Sequence, residues 1–167
     1  MQTLADQFIP AWDFEAKGTV RLLKSLPVSK YDFRPDAAGR SMGELAWHLS
    51  EVDAYVSHGL ETGQFQVDVR PPGIERPRTI EALAPGYERI HADAVARIRK
   101  LDPATFEKTM PFFDGSPMKV ADILWGGLLH HLIHHRGELV LMCRLAGGTP
   151  PGLYGPTREE MAAFKKT

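Results

Sequence analysis

The chain has 167 residues, a length that fits a single domain with one hydrophobic core. Hydrophobic residues make up 43% of it and charged residues 25%, values typical of a soluble globular protein and unlike those of disordered or membrane proteins. The formal net charge is -1 and the lysines and arginines are scattered, which argues against the basic surface that nucleic-acid binding requires.

Two helices are predicted in the first third of the chain. Residues 3–26 carry apolar side chains at helical spacing, and Pro27 closes the segment. After a linker, Ser41 and Glu44 have the spacing of a capping box, in which each side chain accepts a hydrogen bond from the other residue's backbone N–H. A second helix is therefore expected from Ser41 to about Thr62.

A long connection separates the second helix from the third. Residues 63–78 are interrupted by prolines and glycines, so they cannot continue a helix, and they are too many for a short bundle loop. Thr79 is a suitable N-cap, and the apolar residues after it keep to one stripe as far as about Leu101. The sequence thus predicts a crossover connection followed by a third helix.

The last third of the chain predicts a hairpin, a long fourth helix and a short C-terminal helix. An Asp-Gly pair between short apolar runs in residues 102–116 favours a hairpin. Ser116 and the proline after it have the residue types of an N-cap and a first helical turn, so the fourth helix is expected over residues 117–146. Thr157 and Glu160 again have capping-box spacing.

Four main helices with two long connections predict an all-α protein, an antiparallel four-helix bundle with crossover connections. No internal repeat divides the chain, so residues 1–167 are expected to form one domain. The sequence lacks the apolar runs of a signal peptide or of a membrane span, and it predicts a cytoplasmic protein. Cys143, the only cysteine, excludes an internal disulfide and, on an apolar helix, is expected to be buried and unreactive.

Four of the seven histidines stand in the stretch HHLIHH, residues 130–135, within an otherwise apolar helix. A count of ~100° per residue predicts that His131 and His135 lie in the middle of the apolar stripe of this helix. The same count predicts that His130 and His134 lie nearer its edge.

Two imidazoles on a buried stripe need polar or ionic partners, because burial of an unpartnered imidazole costs roughly 1 to 3 kcal/mol. The i, i+4 spacing of His131 and His135 is the one by which helices present two imidazoles to one metal ion. His48, on the predicted second helix, is the third candidate ligand, although a lone histidine of this kind is more often simply hydrogen-bonded. Three histidines would leave coordination positions open, as in catalytic zinc-type sites.

The other histidines, and two polar residues close to the candidate ligands in the sequence, can be assigned expected positions or roles. Glu138, on the same face of the fourth helix, is a further ligand, an acceptor for an imidazole N–H, or an inward acid in a wet pocket; we favour the acceptor. Tyr55, two turns after His48, is a candidate pocket residue. His58 and His91 have no partner at ligand spacing and are expected at the surface.

Arg136 and Arg144 of the fourth helix are expected to form exposed ion pairs. The helix also carries more apolar residues than one stripe needs, and either a homodimer or the C-terminal segment would have to cover the remainder. The residues in excess are Trp125, Leu129, Ile133 and Val140.

These motifs resemble the DinB-like superfamily of bacterial metal-binding four-helix bundles, and the resemblance extends over nearly the whole chain. It rests on RPDAAGRSMGELAWHLSEVDAY, on PFFDGSPMKVADILW, and on HLIHHRGELVLMCRLAGG with the downstream LYGP. The most specific part is the family's H-x-x-x-H-R-G pattern, which maps onto His131, His135, Arg136 and Gly137. Glu138 stands where the family usually has glutamine.

The resemblance implies an up-down-down-up bundle that holds a divalent metal, nickel, zinc or iron, through His48, His131 and His135. Members with similar motifs include S-transferases that use low-molecular-weight thiols, and relatives often form homodimers. The family name refers to damage inducibility, which connects it with stress responses but does not imply DNA binding.

The expected function is therefore that of a metal-dependent enzyme that joins a low-molecular-weight thiol to small electrophiles. Such a reaction requires no protein nucleophile, which agrees with the lack of a recognisable Ser-His-Asp arrangement. The alternatives are a metal-dependent hydrolase and a bundle that binds a metal or a small ligand without turnover. The sequence identifies no catalytic residue beyond the candidate ligands.

Overall fold

The protein is an all-α bundle with one small hairpin, seen in a computed structural model that describes residues 3–164. The predicted helices at both ends of the chain are present within these residues. The elements are α1 (Leu4–Lys24), α2 (Met42–Thr62), α3 (Leu83–Lys100), β1 (Thr109–Pro111), β2 (Pro117–Lys119), α4 (Val120–Asp122), a π-helical segment (Ile123–His130), α5 (His131–Leu145) and α6 (Arg158–Phe164).

The second helix begins where its capping box predicts. The Ser41 hydroxyl accepts the backbone N–H of Glu44 at 3.2 Å, and the Glu44 carboxylate accepts the backbone N–H of Ser41 at 2.8 Å. These two bonds satisfy backbone donors that a helix N-terminus leaves without partners. The start of α2, and hence the position of His48 two turns later, is therefore set by local sequence.

The third helix begins at Leu83, so the predicted start at Thr79 is wrong. The helix is preceded by Ala82, which provides no side-chain cap, and the backbone N–H of Leu83 donates instead to the Ile80 carbonyl at 3.1 Å. Ile80 is buried in the core. Burial of this apolar side chain holds residues 79–82 in a turn, and this outweighs the capping preference of Thr79.

The predicted hairpin is present, but it extends into the segment predicted as the start of the fourth helix. Met110 of β1 lies opposite Met118 of β2 in an antiparallel pair. Ser116 is therefore not an N-cap: its backbone N–H and hydroxyl both donate to the Asp114 carboxylate, at 2.9 and 2.6 Å, within the hairpin turn. The helix begins at Val120, since strand pairing occupies the residues before it.

Helices α2 and α3 run in the same direction. Asp53 of α2 contacts His91 of α3 at 2.9 Å, and Ser57, one turn later, lies 3.4 Å from Arg97, also later in its helix. A parallel pair of consecutive helices needs a long crossover, which residues 63–82 provide. Trp47 anchors this connection by donating its indole N–H to a carbonyl within it, at 3.2 Å.

Helix α1 runs parallel to the fourth helix and antiparallel to α2 and α3. The Phe8 and Trp125 rings lie 5.3 Å apart, and Glu15 pairs with Arg136 further along both helices. In contrast, α1 contacts α3 in reverse order, because Asp13 meets His91 whereas Lys24 meets the earlier Glu88. The directions are up, down, down and up, as predicted.

The apolar residues that seemed to exceed one stripe of the fourth helix pack within the chain itself. Leu129 is buried, and Trp125, Ile133 and Val140 are partly buried against the core. The helix needs a broader apolar face than one stripe because α1 and α2 both cover it. This face therefore requires no second subunit.

Among the residues that the structure describes, no helix is both long enough and apolar enough to cross a membrane.

Candidate metal centre

A π-helical segment precedes the histidines and turns the helix face on which they lie. Its hydrogen bonds span five residues instead of four, so one more residue enters the turn and the buried face moves around the axis. Val120, before this segment, and Leu132 and Leu139, after it, are all fully buried. A helical-wheel count of ~100° per residue, carried through this segment, is therefore wrong in placing His131 and His135 in the middle of the buried stripe.

The two histidines lie beside that stripe, on the side that meets α2. His48 of α2 places its Nε2 atom 3.4 Å from Nε2 of His131. The ring centroids of His48 and His135 are 4.9 Å apart, and those of His131 and His135 are 4.6 Å apart. One nitrogen from each of the three rings lies within 4.8 Å of the other two.

This spacing fits the demands of a divalent cation. Zinc–nitrogen bonds of ~2.0 to 2.1 Å in tetrahedral geometry place two ligand nitrogens about 3.3 Å apart. The His48–His131 separation of 3.4 Å already has that value. The three-histidine cluster could therefore hold a metal ion.

Two of the three imidazoles are oriented by carboxylates on their own helices. His48 Nδ1 lies 3.1 Å from Glu51 Oε2, and His135 Nδ1 lies 2.6 Å from Glu138 Oε2. An ionised carboxylate only accepts, so Nδ1 carries the proton and the Nε2 lone pair is left free. Glu138 makes the hydrogen bond predicted for it, whereas Glu51 was missed, although its i, i+3 spacing from His48 was visible.

The surroundings of His131 and His135 favour the neutral imidazole, which is the form that binds metals. Loss of solvent around His131, followed by the neighbouring His135 and His48, lowers its pKa from 6.5 to about 4. Burial also lowers the pKa of His135, while its hydrogen bond to Glu138 acts in the opposite direction. His131 is therefore neutral at pH 7, and no proton has to leave before it coordinates a cation.

The other two histidines of HHLIHH lie outside the three-ring cluster. His130 and His134 are exposed. His134 Nε2 is 3.4 Å from Glu138 Oε1, so His134, His135 and Glu138 form a second, more open group with ligand spacing. Of the four histidines in this stretch, only His131 and His135 belong to the cluster with His48.

A cavity of about 390 Å³ opens beside the cluster. Tyr55, predicted as a pocket residue, lines it, and the hairpin contributes Phe112 and Phe113. Gly127 of the π-helical segment permits this contact, since a Cβ there would lie 2.9 Å from the Phe112 ring. The full lining is Arg40, His48, Glu51, Val52, Tyr55, Val56, Val67, Phe112, Phe113, Gly127 and His131.

His91 is not the surface residue that its sequence context predicts. Its side chain is 12% exposed, with Nδ1 2.9 Å from the buried Asp53 and Nε2 2.9 Å from Asp13. The two carboxylates raise the pKa of His91 against the effect of burial, and burial raises the pKa of Asp53. Both partners come from other helices, so spacing within α3 could not reveal them. His58, also predicted at the surface, is partly buried.

Arg136 is likewise not exposed: its side chain is 1% accessible. The guanidinium donates to the Glu15 carbonyl at 2.7 Å, to the Glu15 carboxylate and to the Tyr154 hydroxyl. It therefore joins α5 to α1 and to the LYGP loop. Arg144 does form the predicted outer ion pair, with Glu159 at 3.1 Å.

Cys143 is buried as predicted. Burial raises the pKa of its thiol, and the sulfur points to the Ser25 carbonyl at 3.9 Å. A protonated and enclosed thiol is a poor nucleophile.

The comparisons with known proteins agree with this architecture. The DinB family matches residues 1–167. The uncharacterized protein YrdA of Bacillus subtilis (strain 168) is 31% identical over 168 residues, which cover 98% of this chain and 95% of YrdA.

Two crystal structures share the fold. A DinB-like protein from Bacillus cereus ATCC 10987 superposes with a TM-score of 0.73 at 24% identity, covering 92% of this chain and 99% of that one. The DinB-like protein YjoA from Bacillus subtilis gives a TM-score of 0.68 at 18% identity, with 90% and 99% covered. Since the family match spans every residue and a relative is similar along nearly its full length, this chain belongs to the DinB family.

Proposed function

We propose that the protein is a metal-dependent enzyme that joins a low-molecular-weight thiol to small electrophiles, with His48, His131 and His135 as the metal ligands. The observation that carries the proposal is that three imidazole nitrogens converge within 4.8 Å beside a largely apolar cavity of about 390 Å³. Imidazole ligands suit zinc, nickel and iron, and three of them leave positions for a reactant.

A divalent cation at this centre would supply a Lewis acid that favours the thiolate form of a small thiol at neutral pH. In the proposed reaction the thiol loses its proton, its sulfur bonds to the electrophilic carbon, and the leaving group departs with the electron pair of the broken bond. Glu51 and Glu138 hold the imidazoles in position, and Tyr55 and Phe113, whose rings lie 6.5 Å apart, restrict water at the cavity wall.

The chain offers no thiol of its own for this chemistry. Cys143 is buried against the end of α1, and its raised pKa keeps it protonated. The sulfur nucleophile must therefore enter from solution, and the cavity beside the histidines is the space available to it. A soluble thiol is therefore the proposed cosubstrate.

A metal-dependent hydrolase is the second candidate. Glu51 lines the cavity next to His48, where its carboxylate could accept a proton from water. A bundle that binds a metal or small ligand without turnover is the third. We further propose one domain over residues 1–167, a cytoplasmic location and a homodimer, for which the exposed Leu141 and Leu145 of α5 provide an apolar surface.

Elemental analysis of protein purified without an affinity tag tests the metal centre. About one divalent ion per chain is expected, and His48→Ala, His131→Ala and His135→Ala should each lose most of it. His58→Ala is the matched control, because His58 lies on the same helix as His48 and also has a glutamate three residues later, at 3.7 Å. Full occupancy in the three cluster variants would refute the ligand set.

Turnover is tested by thiol-dependent consumption of monochlorobimane, in which the sulfur bonds to the chloromethyl carbon and chloride leaves. The metal-loaded protein should accelerate this conjugation, and the His131→Ala variant should not. Metal occupancy without acceleration across several low-molecular-weight thiols would favour the hydrolase or the non-catalytic candidate instead.

A further inference from the structure

The cavity beside the histidines has one strongly charged group without a protein partner. Arg40 is the one arginine or lysine among the described residues that line it. Its guanidinium makes no hydrogen bond or ion pair with any residue in the described part of the chain. By contrast, the nearby Arg34 pairs with Glu44 at 2.8 Å, and Arg76 also reaches that carboxylate at 3.5 Å.

The position of Arg40 is set by the start of α2. It directly precedes Ser41, whose capping box with Glu44 holds the backbone at that point. The side chain lies close enough to the centre to contribute to the lowered pKa values of His131 and Glu138. A guanidinium with five donors and no acceptor in reach is prepared to meet an anionic group of a ligand.

Apart from Glu51, Tyr55 and the candidate ligands His48 and His131, the other described lining residues are apolar. Glu51, the acidic residue among its described lining residues, already accepts from His48 Nδ1 at 3.1 Å. Phe112 and Phe113 contact each other edge to face at 4.8 Å between ring centroids, and Val52 also lines the cavity. A volume of about 390 Å³ is near the lower end of the range for small-molecule sites.

We propose that this site selects small molecules that combine an aromatic or branched apolar body with one carboxylate or comparable anionic group. The anionic group pairs with Arg40, the apolar body lies against Phe112 and Phe113, and the reacting end faces His48 and His131. This inference rests on the proposed function for its chemistry, but the anion preference depends only on Arg40 and the apolar walls.

The preference is tested by binding of 4-phenylbutyrate and of its neutral isostere 4-phenylbutanamide to the full-length protein as purified. Loss of a charge-assisted hydrogen bond predicts that the carboxylate binds roughly tenfold more tightly than the amide. Arg40→Gln should abolish the difference, and Arg40→Lys should retain part of it. The matched control is Arg99→Gln, which removes an exposed arginine that lines a different groove, on α3.

The outcomes separate this inference from the proposed function. Equal binding of acid and amide, or no binding of either, would overturn the inference whatever the metal content. A preference that survives in Arg40→Gln would assign the anion to the metal centre and would also overturn it. Absence of metal together with an Arg40-dependent preference would instead refute only the proposed function.

The anionic group could belong to the thiol or to the electrophile, and turnover distinguishes the two. One pair of reactions compares 3-mercaptopropionate with 3-mercaptopropanamide as the thiol, with 4-(chloromethyl)benzamide as the electrophile. The other compares 4-(chloromethyl)benzoate with 4-(chloromethyl)benzamide, with 3-mercaptopropanamide as the thiol. The pair whose acid-over-amide ratio of kcat/KM falls in Arg40→Gln identifies the anionic reactant, and two unaffected ratios would contradict the proposal.

Discussion

Replacement of Arg136 by methionine tests whether this buried side chain ties α5 to α1. Arg136 is 1% exposed and Glu15 is 12% exposed, and the guanidinium also binds the Glu15 carbonyl at 2.7 Å. Methionine keeps most of the apolar stem of the side chain but leaves the Glu15 carboxylate buried without its cation. The cost therefore comes from an uncompensated charge more than from a cavity.

The size of the effect follows from burial. Breaking a buried ion pair by removing one partner costs about 3 to 5 kcal/mol, whereas an exposed pair contributes about 0 to 1 kcal/mol. Arg144 provides the matched control, since it is on the same helix and pairs with Glu159 at 3.1 Å with both side chains about one-third exposed. Arg136→Met should thus destabilise the protein several times more than Arg144→Met.

Urea unfolding followed by circular dichroism measures both variants. The midpoint should fall strongly for Arg136→Met and little for Arg144→Met, with an unchanged m-value. The double variant Arg136→Met/Glu15→Leu should recover part of the loss, because it leaves no unpaired buried charge. Equal losses in the two single variants would refute the assignment of Arg136 as a buried tie between α5 and α1.

Three further predictions concern individual side chains. Glu138→Ala should weaken metal binding about 10- to 100-fold in a competition titration because His135 loses its orienting acceptor, and an unchanged affinity would exclude that role. The pKa of His91 is raised from 6.5, so its charged form stabilises the fold fully below that value and the contribution is lost as pH rises through the higher folded pKa. The stability advantage of wild type over His91→Gln should therefore shrink as the pH rises above 6.5 in urea titrations, and a constant advantage would contradict the pairing. Cys143 should react with Ellman's reagent only on unfolding, and rapid reaction in the native protein would show that the thiol is accessible.

Features that depend on neighbours along the chain could be predicted from the sequence. The capping box at Ser41, the hairpin around Asp114 and the i, i+4 pair His131 and His135 all depend on residues within a few positions of one another. Their hydrogen bonds and spacings are local, so they can be inferred before the packing of the helices is known. His48 entered as a ligand through its helix and through the family resemblance, not through spacing.

Apart from the local hydrogen bond between His48 and Glu51, the side-chain pairs that sequence reasoning missed join distant segments. The Arg136–Glu15 pair spans 121 positions, and His91 meets Asp53 across 38 positions and Asp13 across 78. Helical spacing describes one helix at a time, so it cannot show which charged side chains a neighbouring helix supplies. The π-helical segment was missed for a different reason. A count of ~100° per residue assumes that every backbone hydrogen bond joins residues four apart, as in an α-helix.

The sequence by itself determined that the chain forms a helical bundle with two long connections. It also determined that one pair of candidate ligands, His131 and His135, lies one turn apart on a single helix. Only the tertiary structure decided that His48 approaches that pair, and that Arg40 and the hairpin phenylalanines line a cavity beside them. The physical reason is that backbone hydrogen bonding and capping are local, whereas a binding site forms where the packing of whole helices brings side chains from distant positions into contact.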